Sequence, residues 1–155
     1  MLTGDAPTVA AKVAMDIGII PSTTPPSSPG SEKSNTSLLT GGNGVITGSE
    51  LAAIANDKAQ FRTAVLNNVI FAKLSPYMKL QIVEELRNHG ENVAFLGDGV
   101  NDTMALRGAD VGISVHSGTE VAKDAADIIL LEKSLGVIAD GVVLGRRTWV
   151  FLRTE

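Results

Sequence analysis

Several residue types are scarce in this sequence, and each scarcity excludes a class of protein or site. None of the 155 residues is cysteine, which excludes disulfide bonds and thiolate metal sites and suits a reducing compartment. Basic residues number 13 against 17 acidic ones, and the net charge is −4. Because nucleic-acid binding calls for a positively charged surface, we expect no nucleic-acid partner.

Long apolar runs are also lacking. A membrane-spanning helix needs roughly 20 consecutive apolar residues, and the most apolar stretches, AADIILLEKS and LGVIADGVVLG, contain acidic residues. The N-terminus MLTGDAPTVAAK has neither the basic start nor the continuous apolar centre of a signal peptide. The sequence by itself predicts a soluble chain without a membrane span.

What the sequence does have is apolar residues in short, regularly placed runs. They make up 44% of the chain, which favours a folded body with a core. The predicted strands are 69–72, 93–96, 111–115 and 127–131. Helices are predicted at 5–18, 75–90, 101–107, 119–126 and 135–149, and one or two short amphipathic helices are predicted within 49–67. This alternation is typical of an α/β fold with a parallel sheet flanked by helices.

The first helix has recognisable start and stop signals. Asp5 can cap exposed backbone amides, and Pro7 fits the first helical turn. Gly18 can end the helix. Between these signals, apolar residues recur at helical spacing: Val9, Val13 and Ile17.

Composition divides the chain into four segments. Residues 1–20 begin the folded part, and residues 49–150 continue it. Between them, residues 21–48 are predicted to be a low-complexity flexible loop, because 21–44 are rich in Ser, Thr, Pro and Gly and hold too few bulky residues to offset their ordering entropy. Residues 151–155 form a tail.

The string GDGVND at 97–102 directly follows a predicted strand. In parallel sheets ligands bind at the carboxyl ends of the strands, so Asp98 would project into such a crevice. Asp102 lies one helical turn further on and can point to the same side. With Asn101 these carboxylates form an all-oxygen set, which suits Mg²⁺ completed by water and phosphate oxygens.

Each of these residues also has an interpretation without chemistry. Asp98 could cap the following helix while Asp102 is solvated, as in an ordinary turn. The tripeptide at 3–5 could be a turn and helix cap, and Lys79 could be a solvent-exposed lysine. The complete string GDGVND at a strand end favours the metal site.

GDGVND resembles the hinge motif of the P-type cation-transporting ATPases, members of the haloacid dehalogenase-like superfamily. Further matches follow in the family's order: LTGD at 2–5, FAKLSP at 71–76 with Lys79, and ALRGADVGIS at 105–114. The continuation AADIILLEKSLGVIADGVVLGRRTW at 125–149 most closely resembles the magnesium-transporting subgroup. The resemblance implies a partial Rossmann-type sheet, ATP as substrate and Mg²⁺ as cofactor.

The resemblance also implies a role for each matching residue. Thr3 and Gly4 would bind the phosphoryl group through a hydroxyl and a backbone N–H, and Asp5 would help to position nucleotide or metal. Lys79 would neutralise charge on the transferring phosphoryl group. Finally, Asp98 would hold Mg²⁺, while Asn101 and Asp102 would complete and orient that site.

The family's nucleophile is not in this sequence. P-type ATPases form an aspartyl-phosphate within the motif DKTGT, and no such string occurs among the 155 residues. In the family fold, the nucleophile strand and the strand ending in Thr-Gly-Asp lie between the strands predicted at 69–72 and 93–96. We therefore expect a partial sheet that lacks the nucleophile strand, and a chain that is inactive alone.

Three functional hypotheses remain. The chain is a C-terminal part of a phosphorylation domain whose partners are the missing domains or an intact pump; the pump would lie in a membrane, and the chain alone would be cytoplasmic. Alternatively, it is a non-catalytic regulatory or interaction module that binds Mg²⁺ weakly. The third hypothesis is a remnant of a soluble phosphatase of the same superfamily.

Overall fold

The computed structural model describes residues 1–20, 44–132 and 134–153. The chain divides into two compact units, Met1–Val93 and Ala94–Glu155, a division that the sequence did not predict. The strands within each unit are parallel, and helices flank them. The predicted α/β class is confirmed.

The sheet of the first unit is built around one short strand. Strand β1 (Val45–Thr47) and strand β2 (Ile70–Ala72) run parallel. On the opposite edge of β2, Leu2 forms a parallel bridge to Phe71. The Phe71 N–H donates to the Met1 carbonyl at 2.8 Å, and the Phe71 carbonyl accepts from the Thr3 N–H at 2.9 Å. The segment leading to Thr3 is therefore a strand stub beside β2.

Alternate side chains of β2 enter two different apolar clusters. Ile70 and Ala72 pack with alanines of helix α1 (Pro7–Asp16), whereas Phe71 packs with Leu51, Val65, Leu74 and Ile82. These partners of Phe71 lie on helices α2 (Gly48–Ile54), α3 (Lys58–Asn67) and α4 (Pro76–Asn88), except for Leu74, which precedes α4. Successive residues of a strand point to opposite faces, so one three-residue strand serves both clusters.

The second unit has a three-stranded sheet in the order β3-β4-β5, with β3 at Ala94–Leu96, β4 at Val111–Val115 and β5 at Ile128–Leu130. A 3₁₀ turn (Val100–Asp102) and helix α5 (Thr103–Gly108) connect β3 to β4, and helix α6 (Glu120–Ala125) connects β4 to β5. Gly112 lets α5 approach β4, since a Cβ there would lie 2.7 Å from the Leu106 carbonyl oxygen.

Helix α7 (Gly136–Arg153) follows β5 and carries several exposed apolar side chains. Of the helices in the described ranges, none is long and apolar enough to cross a membrane. The helix includes residues 151–153, which the sequence assigned to a tail, and residues 154–155 lie outside the described part.

Most predicted elements are confirmed within one or two residues, although α7 extends four residues beyond its predicted end at 149. Three further differences concern β1, Asp5 and the helix predicted from residue 101. Strand β1 was not predicted, because 45–47 fell in the loop proposed at 21–48. Residues 21–43 of that loop lie outside the described residues. Asp5 does not cap α1, because the N-cap is Ala6 without a side-chain bond. The helix predicted from residue 101 begins as the 3₁₀ turn.

Candidate metal and phosphate site

The glycine-rich loop after β3 holds the first predicted metal ligand. Strand β3 ends at Leu96, and the next residue, Gly97, is buried and donates its N–H to the Ile113 carbonyl of β4 at 3.0 Å. The Asp98 side chain that follows is exposed. The predicted position of Asp98 at the carboxyl end of a parallel strand is confirmed.

The side chain of Asp102 folds back onto this loop. A Cβ added to Gly97 would lie 2.5 Å from the Asp102 Cβ and 3.1 Å from its Oδ2, and a Cβ on Gly99 would lie 3.8 Å from the same oxygen. Asp102 is half-buried, and its N–H donates to the Gly99 carbonyl at 3.0 Å. One carboxylate therefore lies against the backbone on both sides of Asp98.

The alternative in which Asp98 caps the next helix is wrong. The N-cap residue of the 3₁₀ turn is Gly99, and there is no side-chain cap hydrogen bond at this position. Asp102 is the N-cap residue of α5 and makes no side-chain capping bond there. Asn101 is exposed in the same turn. The three predicted ligands thus lie within one five-residue stretch, with neither carboxylate used as a helix cap.

The backbone of Asp98 is also held from the other side by the turn after β4. The Asp98 carbonyl accepts a hydrogen bond from the Thr119 N–H at 2.9 Å, and Thr119 is the N-cap of α6. Sequence reasoning did not assign this contact. The Gly118-Thr119 pair after a strand is a turn signal, but nothing in it shows which loop the turn contacts.

The predicted phosphate-binding residues of the first unit are held by local and sheet hydrogen bonds. The Thr3 hydroxyl donates to Asp5 Oδ2 at 2.9 Å and accepts from the Asp5 N–H at 3.1 Å. The carbonyls of these residues accept from Leu74 N–H at 3.1 Å and Lys73 N–H at 3.0 Å. Gly4 lies exposed between them, so its backbone faces solvent beside two oxygen-bearing side chains.

The backbone next to this turn adopts an uncommon conformation. Lys73 has a positive φ of 50°, a region that non-glycine residues rarely occupy because it costs free energy. A Cβ on Gly48, at the start of α2, would lie 2.5 Å from the Lys73 carbonyl oxygen. The conformation of Lys73 thus brings its N–H to Asp5 and its carbonyl against α2.

Lys79 lies on α4 in the same unit. Its N–H donates to the Ser75 carbonyl at 3.2 Å, in the first turn of the helix. The residue is half-buried rather than fully exposed, and it has a further interaction in addition to this bond. The interpretation of Lys79 as an ordinary surface lysine is therefore too simple.

Within residues 1–20, 44–132 and 134–153, no three His, Asp or Glu side chains come together as a metal site. The loop at 97–102 offers two carboxylates and the neutral side-chain oxygen of Asn101 as ligands that could hold a cation. Such an open set fits Mg²⁺, which usually keeps several waters and takes one or two carboxylates.

Comparison with known proteins identifies the family. The family model for haloacid dehalogenase-like hydrolases matches residues 31–110, about half of the chain. The chain belongs to this family.

Similar proteins include ATPases named for magnesium or cation transport. Over 149 residues, the chain is 38% identical to the magnesium-transporting ATPase, P-type 1, of Salmonella typhimurium and 40% identical to the protein of the same name in Escherichia coli. It is 39% identical over 147 residues to the probable cation-transporting ATPase F of Mycobacterium tuberculosis. The matches cover 94% to 96% of this chain, which spans 14% of the length of each relative.

Among solved structures, the catalytic domain of the CPx-ATPase CopB-B matches with 38% identity and a TM-score of 0.44, over 53% of this chain and 33% of that one.

Proposed function

We propose that this chain supplies metal-binding and phosphate-binding loops to a P-type ATPase that couples ATP hydrolysis to the transport of Mg²⁺ or another cation across a membrane. Support comes from the names of the relatives, from the family and from the motifs at 2–5 and 97–102. The observation that carries the proposal is the packing of the Asp102 carboxylate against Gly97 and Gly99, on either side of Asp98.

In this proposal, Asp98 is a direct ligand of Mg²⁺. Its side chain is exposed, while its backbone is fixed by the bond from Thr119, so the carboxylate is free to accept a cation without rearrangement of the loop. Asp102 and the Asn101 side chain complete and orient the site. Water and phosphate oxygens would fill the remaining positions around the ion.

In the first unit, the proposed ligand is a phosphoryl group. The Gly4 N–H and the Thr3 hydroxyl are donors of the kind that bind phosphate oxygens, and Asp5 holds that hydroxyl in place. Lys79 would supply the positive charge that a transferring phosphoryl group requires. ATP is the corresponding substrate, and the partners of the chain would be the other domains of such a pump.

A titration of the purified chain with MgCl₂ tests the metal site, followed by backbone amide NMR shifts. We expect shifts at 97–102 that saturate, because the ion binds between carboxylates in that loop. Asp98→Asn and Asp102→Asn should each weaken binding by about tenfold or more, as removal of a ligand or its supporting group does in metal sites.

The matched control is Asp124→Asn. Asp124 is an exposed acid on α6 in the same unit, so the variant changes the net charge equally without touching the loop. Wild-type affinity in the two loop variants, or an equal loss in Asp124→Asn, would show that Mg²⁺ binds elsewhere or only through long-range attraction.

A further inference from the structure

The turn that follows β4 packs closely against the loop that carries Asp98. Gly118 lies in the turn after β4, close to three oxygens. A Cβ added at this position would lie 3.0 Å from Ser114 Oγ, 3.0 Å from the Val115 carbonyl oxygen and 3.1 Å from the Asp98 carbonyl oxygen. The Gly118 N–H already donates to the Val115 carbonyl at 2.8 Å. No side chain fits at this position unless one of the three oxygens moves.

The next residue binds the same carbonyl. The Thr119 N–H donates to the Asp98 carbonyl at 2.9 Å, and the Thr119 side chain accepts from the Ala122 N–H of α6. One residue therefore ties the start of α6 to the backbone of the candidate metal ligand. With the bond from Gly97 to β4, this fixes the backbone on both sides of the Asp98 side chain.

From these contacts, and resting on the proposed Mg²⁺ site, we propose that Gly118 and Thr119 are positioning residues for Asp98. The backbone N–H of Thr119 holds the Asp98 carbonyl, and the missing side chain of Gly118 allows that carbonyl to lie where it does. Together they set the distance between the Asp98 and Asp102 carboxylates, and thereby the size of the ion that the loop prefers.

Ion size matters because the two common divalent ions differ in tolerance. Mg²⁺ requires near-octahedral oxygens at about 2.0–2.1 Å, whereas Ca²⁺ accepts irregular sets of oxygens at about 2.3–2.6 Å. A shift of a few tenths of an ångström in Asp98 should therefore weaken Mg²⁺ binding more than Ca²⁺ binding. Partial unfolding would weaken both equally, so the ratio of the two affinities separates positioning from stability.

The first test compares two variants of Thr119 in the full chain. Thr119 has a φ of −66°, which proline also adopts. Both Thr119→Pro and Thr119→Ala lose the side-chain cap, but only Thr119→Pro loses the N–H that binds Asp98. We expect Thr119→Pro to weaken Mg²⁺ binding by about tenfold relative to Thr119→Ala, with a smaller loss for Ca²⁺.

The second test changes Gly118. It tests the positioning role even if Thr119→Pro does not fold. Gly118→Ala should push the Asp98 carbonyl away and lower the ratio of Mg²⁺ to Ca²⁺ affinity several-fold. The control is Gly141→Ala in α7, where a Cβ meets nothing within 4 Å; it should leave both affinities as in the wild type.

The outcomes separate this inference from the proposed function. If the wild-type chain shows no Mg²⁺ binding that depends on Asp98, both fail. If it binds Mg²⁺ but folded Gly118→Ala and Thr119→Pro match their comparison variants, only the positioning role fails. An equal loss of Mg²⁺ and Ca²⁺ affinity also overturns that role, because it indicates a general loss of structure.

Discussion

At position 97 the side chain of Asp102 occupies the space that an added side chain would need. A Cβ there would lie 2.5 Å from the Asp102 Cβ and 2.9 Å from its Cγ. Gly97→Ala should therefore displace Asp102, costing about 1–3 kcal/mol of stability through overpacking and weakening Mg²⁺ binding by about tenfold. Thermal melting and Mg²⁺ titration would measure the two effects.

Gly99 provides the control within the same loop. A Cβ at this position would lie 3.8 Å from Asp102 Oδ2, which is an ordinary van der Waals distance. The φ of Gly99 is −111°, which any residue can adopt. Gly99→Ala should retain most of the Mg²⁺ affinity that Gly97→Ala loses. Equal affinities in the two variants would contradict the packing of Asp102 onto Gly97.

Ser114 is a second residue with a specific expectation. Its side chain is fully buried in β4, and its hydroxyl has no hydrogen-bond partner among the described residues. A buried polar group without a partner costs about 1–3 kcal/mol, so Ser114→Ala should raise the free energy of unfolding by about 1 kcal/mol. Denaturant titration measures it; a clear loss of stability would mean that the hydroxyl is hydrogen-bonded, for example to a buried water.

At the scale of single elements, the start of α4 depends on one hydroxyl. Ser75 is the N-cap, and its Oγ accepts from the Met78 N–H at 3.3 Å. Loss of such a cap costs about 1 kcal/mol, so Ser75→Ala should lower the melting temperature. Ser75→Asp keeps an acceptor at the cap and should restore most of the loss. Equal melting temperatures for Ser75→Ala and Ser75→Asp would contradict the capping role.

The start of α3 gives the chain a pH dependence. The pKa of Asp57 is lowered from its ordinary value of 3.8 because the Gln60 N–H, the Gln60 side chain and the Ala59 N–H donate to its carboxylate. A lowered folded-state pKa contributes stability above pH 3.8, and this contribution is lost as the pH falls through the folded-state pKa. Asp57→Asn should remove that part of the acid sensitivity, measured as melting temperature between pH 2.5 and 6.

Element positions were largely predictable from the sequence, whereas the buried face of α1 was not. The periodic residues Val9, Val13 and Ile17 predict an apolar face, yet their exposures are 50%, 42% and 63%. The buried side is instead formed by alanines, which let the helix lie close to Ile70 and Ala72 of β2. Helical periodicity identifies a helix, but it does not show which of two apolar faces meets a sheet.

Strand β1 and the turn at 118–119 were missed for a related reason. The strand has only three residues and follows a segment rich in Ser and Gly, so local composition indicated a loop; its pairing with β2 is a long-range contact. The bond from Thr119 to Asp98 likewise joins residues 21 apart. In contrast, the arrangement of GDGVND could be predicted from the sequence, because its glycines and acids are adjacent in the chain.

At the scale of the whole molecule, we predict that the chain by itself forms no phosphoenzyme. No DKTGT string is present to supply the aspartate nucleophile, so the purified chain incubated with labelled ATP and Mg²⁺ should incorporate no phosphate. Phosphate incorporation that depends on Mg²⁺ would contradict this expectation and would call for a different acceptor residue. Asp98→Asn would then show whether the candidate metal site takes part.

The side chains of β2 alternate between two apolar clusters: Ile70 and Ala72 enter one, and Phe71 enters the other. Inserting or deleting a single residue just before β2 while the strand keeps its pairing would exchange the two sets, driving a phenylalanine into space sized for alanines. A two-residue insertion within β2 would preserve this alternation, whereas a one-residue insertion would invert it for the residues that follow.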